Sequence, residues 1–430
     1  MLLGLRGQAK TRIARLLIHL LDEYMPIVAG SDLNDDPMQP LSRFAKDLVA
    51  EKGDNTPVEW VHRSLRYVEK LATPDVSVAD LIGDVDPIKA ATLKLPYSDE
   101  RVLHFGLVPR AHRSIFVLNE LPDLQARIQV SLFNILQEGD IQIRGFKLRL
   151  PLDIQFVFTA NPEDYTNRGS IITPLKDRIE SQILTHYPKT IDIARQITQQ
   201  EAHLTPDQQQ QILVPDMLKI MLEQIAFNAR ESEYIDEKSG VSARLTIAGY
   251  ENLVSTAERR MLINGESSTQ ARISDFWGVV PAITGKVELV YEGEQEGAYM
   301  VAMYLLGDAL QSLFLQHFPN PEEVKAGNKD PYGTIRSWFN AGNQLDLLND
   351  AADADYRKAL DNVAGLKKLV TTTLPDLPEH DLYAYMELVI HGLAEMDVLN
   401  KDLLESSLSF RDLLANMLDD DDIFDGFNDN

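Results

Sequence analysis

The feature that most constrains the fold of this chain lies at its start, in the run Gly4-Leu5-Arg6-Gly7-Gln8-Ala9-Lys10-Thr11. The run follows the pattern G-x-x-x-x-G-K-[ST], except that Ala9 stands where the second glycine is expected. A loop of this kind turns its backbone N–H groups toward phosphate oxygens, while its lysine and hydroxyl reach the β/γ-phosphates and Mg²⁺. Residues 4–11 therefore predict a buried strand before them and a helix after them.

The segment after Thr11 is predicted to be a helix, which places a helix N-terminus directly behind a bound phosphate. Its apolar residues recur every three or four positions, and they are Ile13, Leu16, Leu17, Leu20 and Leu21. The helix is expected to end near Pro26. Because only residues 1–3 precede the loop, we interpret them as the end of a strand and predict that the core lacks the rest of its first strand.

Composition narrows the class of protein. The 430 residues suffice for two or three domains, and 44% apolar with 25% charged residues is typical of a globular protein. The absence of cysteine excludes disulfides, thiolate metal sites and cysteine nucleophiles. A formal net charge of −25 argues against nucleic acid as a partner, because a polyanion is bound by clustered positive charge. We find no signal core and no apolar run of membrane-spanning length, and so predict a cytoplasmic protein without membrane contact.

A second landmark is the apolar run 114–118, which leads directly into Asn119 and Glu120. A continuous apolar strand is typical of a parallel sheet that is buried on both faces. ATPases with such a strand end it in two acidic residues, of which the first holds Mg²⁺ through water and the second polarises the attacking water. Asn119 keeps an oxygen for the metal but lacks the charge, and Glu120 is the candidate base. The alternative is that this pair only turns the chain from a strand into a helix.

Three further predicted elements follow. Residues 124–137 have apolar side chains at helical spacing, and residues 139–150 alternate on both sides of Gly145, as in a hairpin. The apolar strand 154–158 then leads into Ala160-Asn161-Pro162-Glu163. Polar residues at the carboxyl end of a central strand are where open α/β sheets present chemistry. Asn161 is therefore a candidate for orienting the attacking water beside a γ-phosphate.

Two arginines are candidates for contacts with phosphate. Arg178 ends a short predicted helix, and in ring-forming ATPases such an arginine neutralises charge on the γ-phosphate held by the neighbouring subunit. The alternative for Arg178 is a surface salt bridge. Arg244 opens a predicted helix that runs to about Asn264, with Ser242 as its N-cap, and is a candidate phosphate sensor.

The order of these parts resembles that of the AAA+ ATPases, specifically the clade of the magnesium-chelatase ATPase subunit and the MoxR-type chaperones. It comprises a phosphate loop, a long insertion, a strand ending in Glu120, a helix, a hairpin, a strand ending in Asn-Pro-Glu, and Leu-x-Asp-Arg before a helical region. Three stretches look like the chelatase subunit in particular, and they are residues 106–113, 139–150 and 158–163. The 110 positions between Lys10 and Glu120 are also similar to that subunit. The resemblance covers residues 1 to about 265.

The resemblance implies an α/β fold, in which an AAA+ phosphate-loop core with a parallel αβα sheet and β-hairpin insertions is followed by an all-α lid and a helical C-terminal extension. We predict the core in residues 1–186, the lid in 187–265, a helical region of unassigned role in 266–417, and an acidic disordered tail in 418–430. The alternative for the tail is a docking peptide that uses Ile423, Phe424 and Phe427.

The resemblance also implies a site for ATP and Mg²⁺. Its phosphate loop comprises Gly4, Gly7, Gln8, Ala9, Lys10 and Thr11. Thr11 and Asn119 face the metal, Glu120 is the catalytic base and Asn161 is the first sensor. The roles of arginine finger and second sensor fall to Arg178 and Arg244.

Three functions stay open on these residues. The first is an ATP-hydrolysing ring motor, expected to be a homo-hexamer, that remodels a partner protein and works with an integrin-type (von Willebrand A-like) adaptor. The second is a MoxR-like chaperone that matures metal- or cofactor-dependent proteins through the same residues. The third is a nucleotide-binding assembly scaffold without turnover, which the off-pattern Ala9 and Asn119 favour. Nucleotide affinity without turnover would select the third.

Overall fold

The computed structural model describes residues 1–97, 99–138, 140–143, 146–162, 170–324, 330–404 and 407–412. The chain forms two compact units, Met1–His186 and Tyr187–Asn430. Some features singled out in the sequence lie outside the described residues, and they are Gly139, Gly145, Glu163 and the tail 418–430.

The first unit alternates strands and helices. Its strands are Leu2–Leu3 (β1), Tyr24–Val28 (β2), Val58–His62 (β3), Tyr67–Leu71 (β4), Gly83–Val85 (β5), Leu103–Phe105 (β6), Ser114–Asn119 (β7), Asp140–Ile143 (β8), Phe146–Arg149 (β9), Ile154–Ala160 (β10) and Ile183–Leu184 (β11). Its α-helices are Lys10–Leu16, Arg43–Lys52, Val78–Leu81, Pro87–Leu93, Leu107–Arg110, Ala126–Glu138 and Thr173–Asp177. Short 3₁₀ turns cover Leu17–Leu20, Gly53–Asn55, Arg63–Leu65, Glu100–Val102 and Leu121–Asp123.

Five strands form a parallel sheet in the order β11–β1–β10–β7–β4. All six residues of β7 are buried. Because side chains alternate along a strand, Ile115 and Val117 pack on the face covered by the helix Lys10–Leu16, and Phe116 and Leu118 pack on the opposite face with the helix Ala126–Glu138. The predicted parallel sheet between two helical layers is therefore confirmed. The strand expected from the first residues is the two-residue β1, which pairs with β10 on one side and β11 on the other.

The helical segment after the phosphate loop differs from the prediction. The α-helix is only seven residues long, and the chain enters β2 before Pro26 is reached. Leu17 and Leu21 pack against the sheet with the fully buried Ala14. Ile13, Leu16 and Leu20, which share the predicted apolar face, are exposed instead. Ala14, Leu17 and Leu21 recur three and four positions apart and form one helical face, and the sheet covers this face rather than the adjacent one that carries the exposed residues.

Small antiparallel pairs are inserted between the strands of the main sheet. They are β2 with β3, β5 with β6, and β8 with β9. The last pair confirms the antiparallel pairing predicted within residues 139–150, and the described residues show it between 140–143 and 146–149. The segment 58–71, which the sequence suggests as one mixed strand, divides into β3 and β4, and these belong to different sheets.

The second unit is mainly helical. Its α-helices are Ile191–Glu201, Pro206–Gln211, Asp216–Glu231, Arg244–Ile263, Val280–Thr284, Tyr291–Glu296, Ala298–His317, Pro321–Val324, Gly333–Asn340, Asp353–Asp361, Leu366–Thr373 and Leu382–Glu395. Its 3₁₀ turns are Ile273–Gly278 and Glu379–Asp381, and its strands are Ile212–Leu213 (β12), Thr269–Gln270 (β13), Leu345–Leu348 (β14), Leu399–Leu404 (β15) and Ser407–Asp412 (β16). The antiparallel sheet β14–β16–β15 was not predicted. The separation of a lid, 187–265, from a later region stays a prediction.

One helix of the second unit corrects an expectation from the sequence. Among the described residues, Ala298–His317 is long and apolar enough to cross a membrane by length and composition alone. A core helix meets the same criterion, and this one buries Val301, Leu305 and Leu313 against the core of its unit. Its neighbours there include the helices Asp216–Glu231 and Leu382–Glu395.

Candidate functional site

The carboxyl ends of three adjacent parallel strands bring the predicted polar residues to one edge of the sheet. Gly4 follows β1, Asn161 follows β10, and Asn119 ends β7 and is followed by Glu120. The register places Leu3 beside Ala160 and Phe158 beside Leu118. The strand ends are therefore level, and a ligand at this edge meets all three of them.

The phosphate loop is held in a strained and tightly packed conformation. Gly7 and Ala9 both have left-handed backbone, with φ of 69° and 57°. Glycine adopts this conformation freely, whereas for alanine it costs about 1–2 kcal/mol. A Cβ at Gly4 would overlap Thr185 Oγ1 and Gln8 Oε1, so a side chain at position 4 would require both of these side chains to move. Thr185, which follows β11, donates to Gln8 Oε1 at 2.8 Å and anchors the loop to that strand.

Lys10 is buried at the base of the loop, with 8% of its surface exposed. Its Nζ donates to the carbonyl oxygens of Gly4 (2.6 Å) and Leu5 (3.0 Å) and to Asn161 Oδ1 (2.5 Å). These three acceptors are neutral oxygens. An anionic oxygen forms a stronger hydrogen bond to an ammonium group than a carbonyl does, and the loop therefore fits a phosphate.

Asn161 joins Lys10 to Glu120. While its Oδ1 accepts from Lys10, its Nδ2 donates to Glu120 Oε2 at 3.4 Å. Glu120 has left-handed backbone, with φ of 54°, and its N–H donates to Thr159 Oγ1 at 3.2 Å. A non-glycine residue in this region is held there by its surroundings, and such residues cluster at functional sites. The structure thus brings three predicted site residues into one hydrogen-bonded chain.

Asn119 is engaged by two neighbouring strands. Its Nδ2 donates to Glu69 Oε1 at 2.6 Å, and its Oδ1 accepts from Thr159 Oγ1 at 3.1 Å. Glu69 lies on β4 and also accepts from Arg15 Nε at 3.0 Å and from Tyr67 Oη at 3.1 Å. Burial raises the pKa of Glu69, but the hydrogen bonds from Arg15, Tyr67 and Asn119 and the charge of Arg15 outweigh it, so this pKa is lowered and the carboxylate is ionised at neutral pH.

The oxygens at this edge suit a hard cation. Thr11 is half-buried at the second position of the helix Lys10–Leu16. In the described part of the chain no three His, Asp or Glu side chains group to hold a metal ion. Mg²⁺ at nucleotide sites takes one or two protein oxygens together with phosphates and waters, so it does not need such a group. The oxygens of Thr11 and Asn119 are of the kind that such an ion takes, and their role as its ligands stays a prediction.

The two arginines are placed differently from the residues above. Arg178 follows the helix Thr173–Asp177, and its side chain is 42% exposed. Its guanidinium contacts Asp177 Oδ2 at 3.4 Å and lies 5.8 Å from the centre of the Phe133 ring. Arg244 begins the helix Arg244–Ile263 of the second unit, with its N–H donating to Ser242 Oγ at 3.1 Å. The roles of finger and second sensor stay predictions for both residues.

Sequence reasoning missed four residues of the site, and they are Arg15, Glu69, Thr159 and Thr185. Thr159 carried a signal, because it lies in a predicted strand directly before Ala160 and Asn161. For Glu69 the sequence offered only a weak indication, namely a charged residue inside a strand-like segment. Its partners Arg15 and Asn119 are 54 and 50 positions away, so no local pattern connects them.

Comparisons with known proteins give a family match within the first unit and structural similarities over a larger part of the chain. Residues 96–183, roughly a fifth of the chain, match the family model of the sigma-54 interaction domain. Among solved structures, the chain is similar to NtrX from Brucella abortus in complex with ADP, at 14% identity over 59% of this chain and 45% of that chain, with a TM-score of 0.33. It is also similar to a structure of the complex between subunits BchI and BchD of magnesium chelatase, at 18% identity over 69% of this chain and 90% of that chain, with a TM-score of 0.36. This chain spans less than half the length of the NtrX chain.

The sigma-54 interaction domain is an AAA+ domain. A five-stranded parallel sheet with a phosphate loop at its edge agrees with that match. The first unit therefore has the fold of an AAA+ ATPase core, and the predicted fold class, an α/β core followed by a mainly helical region, is confirmed.

Proposed function

We propose that this chain is an ATP-binding and ATP-hydrolysing AAA+ motor that works as a ring and remodels a partner protein. The observation that carries the proposal is the hydrogen-bonded chain from Lys10 through Asn161 to Glu120. It places a cation, an amide and a carboxylate in sequence at one sheet edge. These are the groups needed to bind a γ-phosphate, to orient a water beside it and to accept a proton from that water.

Each residue has a distinct role in this proposal. Lys10 exchanges its carbonyl partners for phosphate oxygens and so concentrates positive charge where negative charge develops. Asn161, once released by Lys10, orients the water with its amide. Glu120 accepts the proton of that water, and its strained backbone keeps the carboxylate directed to the site. Bound Mg²⁺ supplies charge neutralisation on the phosphates.

Replacing Glu120 by Gln tests the assigned base. We expect the rate of ATP hydrolysis to fall at least about a hundredfold, because a general base contributes that much or more, while ATP affinity is kept. Phosphate release and binding of a fluorescent ATP analogue measure the two quantities. Glu59→Gln is the matched control, since Glu59 is exposed on β3, which lies outside the five-stranded sheet, and it should hydrolyse ATP like the unaltered chain. Equal rates for Glu120→Gln and the control would contradict the assignment.

A ring is proposed because Arg178 is exposed and its contacts are with Asp177 and Phe133 rather than with the loop of its own chain. The exposed apolar side chains of Ile13, Leu16 and Leu20 support a protein contact next to the phosphate loop. A homo-hexamer is the assembly that we propose.

Mixing two inactive variants tests whether Arg178 acts across a subunit boundary. Arg178→Ala is expected to lower the hydrolysis rate about a thousandfold. A mixture of Arg178→Ala with Glu120→Gln should regain part of the rate, because the second variant lends its arginine to the intact base of the first. Lys176→Ala, a cation removed two positions away, is the control and should keep its rate. Failure of the mixture to exceed its components would sink the proposed finger while leaving the ATP site untouched.

A scaffold that binds nucleotide without turnover is the second candidate. The observation in its favour is that the amide of Asn119 is committed to Glu69 and Thr159. Tight ATP binding with no phosphate release, in the unaltered chain, would select it.

The client is the other open choice. A magnesium-chelatase-like motor and a MoxR-like chaperone share these site residues, and the first proposal includes a von Willebrand A-like adaptor as a partner. Capture of such an adaptor together with a porphyrin-binding subunit would favour the chelatase-like motor.

A further inference from the structure

Position 119 lacks a charge, and a carboxylate lies next to it on the neighbouring strand. β4 pairs with β7 so that Leu71 is opposite Asn119, and Glu69, two residues earlier, points to the same face. Glu69 Oε1 accepts from Asn119 Nδ2 at 2.6 Å. A negative charge therefore stands one hydrogen bond away from the side chain that the sequence assigns to the metal.

Asn119 and Glu69 are matched as donor and acceptor. The amide oxygen of Asn119 already faces the hydroxyl of Thr159, which leaves the NH₂ group for Glu69. The opposite amide orientation would set two acceptor oxygens against each other at 2.6 Å. An aspartate at 119 would do the same with two charges. The pair thus carries one negative charge in total, placed on β4 instead of β7.

The charge on Glu69 lies on the side of the sheet where the phosphate loop continues into its helix. Arg15 of that helix contacts Glu69 through Nε at 3.0 Å and Nη2 at 3.3 Å. Thr11 is four residues before Arg15, so both lie on one face of the helix. The Arg15 side chain is 59% exposed, and a pair with so much solvent around the cation is weak and screened. The Glu69 carboxylate can therefore also interact with a cation of higher charge, such as Mg²⁺.

We propose that Glu69 supplies, from the neighbouring strand, the carboxylate charge that residue 119 lacks, and that the Mg²⁺ dependence of nucleotide binding comes from it. The inference rests on the proposed nucleotide site. Glu69 acts as a positioning residue that holds Asn119 and places its charge near the metal. It is separate from the base Glu120.

Moving the charge between the two positions tests the inference. Affinity for a fluorescent ATP analogue is measured in EDTA and in Mg²⁺ for the unaltered chain, Glu69→Gln, and the double variant Glu69→Gln/Asn119→Asp. We expect Mg²⁺ to strengthen binding in the unaltered chain and Glu69→Gln to lose that effect by about tenfold or more, as changes to outer partners of metal ligands do. Its affinity in EDTA should change less than about twofold. The double variant should regain the Mg²⁺ effect, because the amide introduced at position 69 can donate to the new carboxylate at position 119.

Two controls separate a local effect from unfolding. Glu59→Gln should keep the affinities of the unaltered chain in both conditions. Asn119→Asp alone should lower the unfolding temperature, because two carboxylates then face each other, and the double variant should recover it.

Three outcomes overturn the inference. The first is that Glu69→Gln keeps the full Mg²⁺ effect, and the second is that it loses affinity equally in EDTA and in Mg²⁺. The third is a double variant that is folded but does not regain the Mg²⁺ effect. Each of these would show that Glu69 has only a structural role. The proposed nucleotide site fails separately, if the unaltered chain binds no nucleotide in either condition.

Discussion

At the scale of single residues, Ala9 is the position where the phosphate loop departs from its pattern. Its backbone is left-handed, so the effect of alanine in place of glycine on the free energy of unfolding can be measured. Replacing Ala9 by Gly removes the unfavourable contact of a Cβ at φ of 57°. We expect the free energy of unfolding to rise by about 1 kcal/mol, since the relief of a left-handed alanine exceeds the extra freedom of glycine in the unfolded chain. Chemical denaturation measures it.

The same substitution at an ordinary helical position is the matched control. Ala50 is exposed within the helix Arg43–Lys52, where glycine is about 1 kcal/mol less favourable than alanine. Ala50→Gly should therefore destabilise the protein while Ala9→Gly stabilises it. Two changes of the same sign would contradict the role assigned to the backbone of Ala9.

At the scale of elements, the helix Leu382–Glu395 places a carboxyl group in the core of the second unit. Glu387 is fully buried and accepts from the N–H groups of Ile273 (3.0 Å) and Ser274 (3.1 Å) and from Tyr356 Oη (2.8 Å). Burial raises the pKa of Glu387 to about 7, although these hydrogen bonds oppose it. One turn later, burial holds the pKa of His391 well below its usual value. Both groups therefore favour their neutral forms in the folded protein.

The raised pKa of Glu387 predicts a loss of stability as the pH rises. Below pH 4.5, the ordinary pKa of a glutamate, Glu387 is protonated in both the folded and the unfolded chain. Between pH 4.5 and pH 7 it loses its proton in the unfolded chain but keeps it in the folded one, which favours unfolding. The loss amounts to roughly 3 kcal/mol and is complete above pH 7. Because His391 acts in the opposite direction below pH 6.5, the comparison is made with Glu387→Gln, which keeps the histidine.

Denaturation curves at pH 5, 6, 7 and 8 measure this effect. The stability of the unaltered chain, relative to Glu387→Gln, should fall through that interval and then level. The control is Glu379→Gln, an exposed glutamate just before the same helix, whose profile should run parallel to that of the unaltered chain. A Glu387→Gln profile that also runs parallel would refute the linkage.

At the scale of the whole molecule, the net charge of −25 opposes folding through self-repulsion. The distance over which charges interact falls from about 30 Å at 0.01 M salt to about 8 Å at 0.15 M. We expect the unfolding temperature to rise when NaCl is raised from 0.01 M to 0.15 M, and to rise less with further additions above 0.15 M. Potassium chloride should act equally, since screening depends on ionic strength. A fall in the unfolding temperature would show that specific ion pairs outweigh the repulsion.

In the core of the second unit, by contrast, buried charges of opposite sign form ion pairs. Arg260 donates to Asp275 through Nε (3.1 Å) and Nη2 (2.9 Å), and both residues are buried. Arg272 and Asp353 extend the group. Pairs of this kind are costly to break, because the partner left behind is a buried charge. None of these contacts was visible in the sequence, where the four residues only look like ordinary surface charges.

By itself, the sequence determined whatever is encoded within one element or at its end. The phosphate loop, the fully buried β7, the hairpin 139–150 and Asn161 at a strand end were all predictable, because periodicity and loop chemistry act over a few neighbouring residues. The exposed Ile13 and Leu16 show where such local reasoning fails, since only the sheet beneath the helix decides which of two adjacent apolar faces is buried.

Only the tertiary structure decided which side chains meet at the sheet edge. Lys10 reaches Asn161 across 151 positions, Gly4 packs against Thr185, and Asn119 finds Glu69 on the next strand. Such contacts depend on strand order and register, which arise from burying two faces of a sheet at once. No short-range pattern in the chain specifies that arrangement.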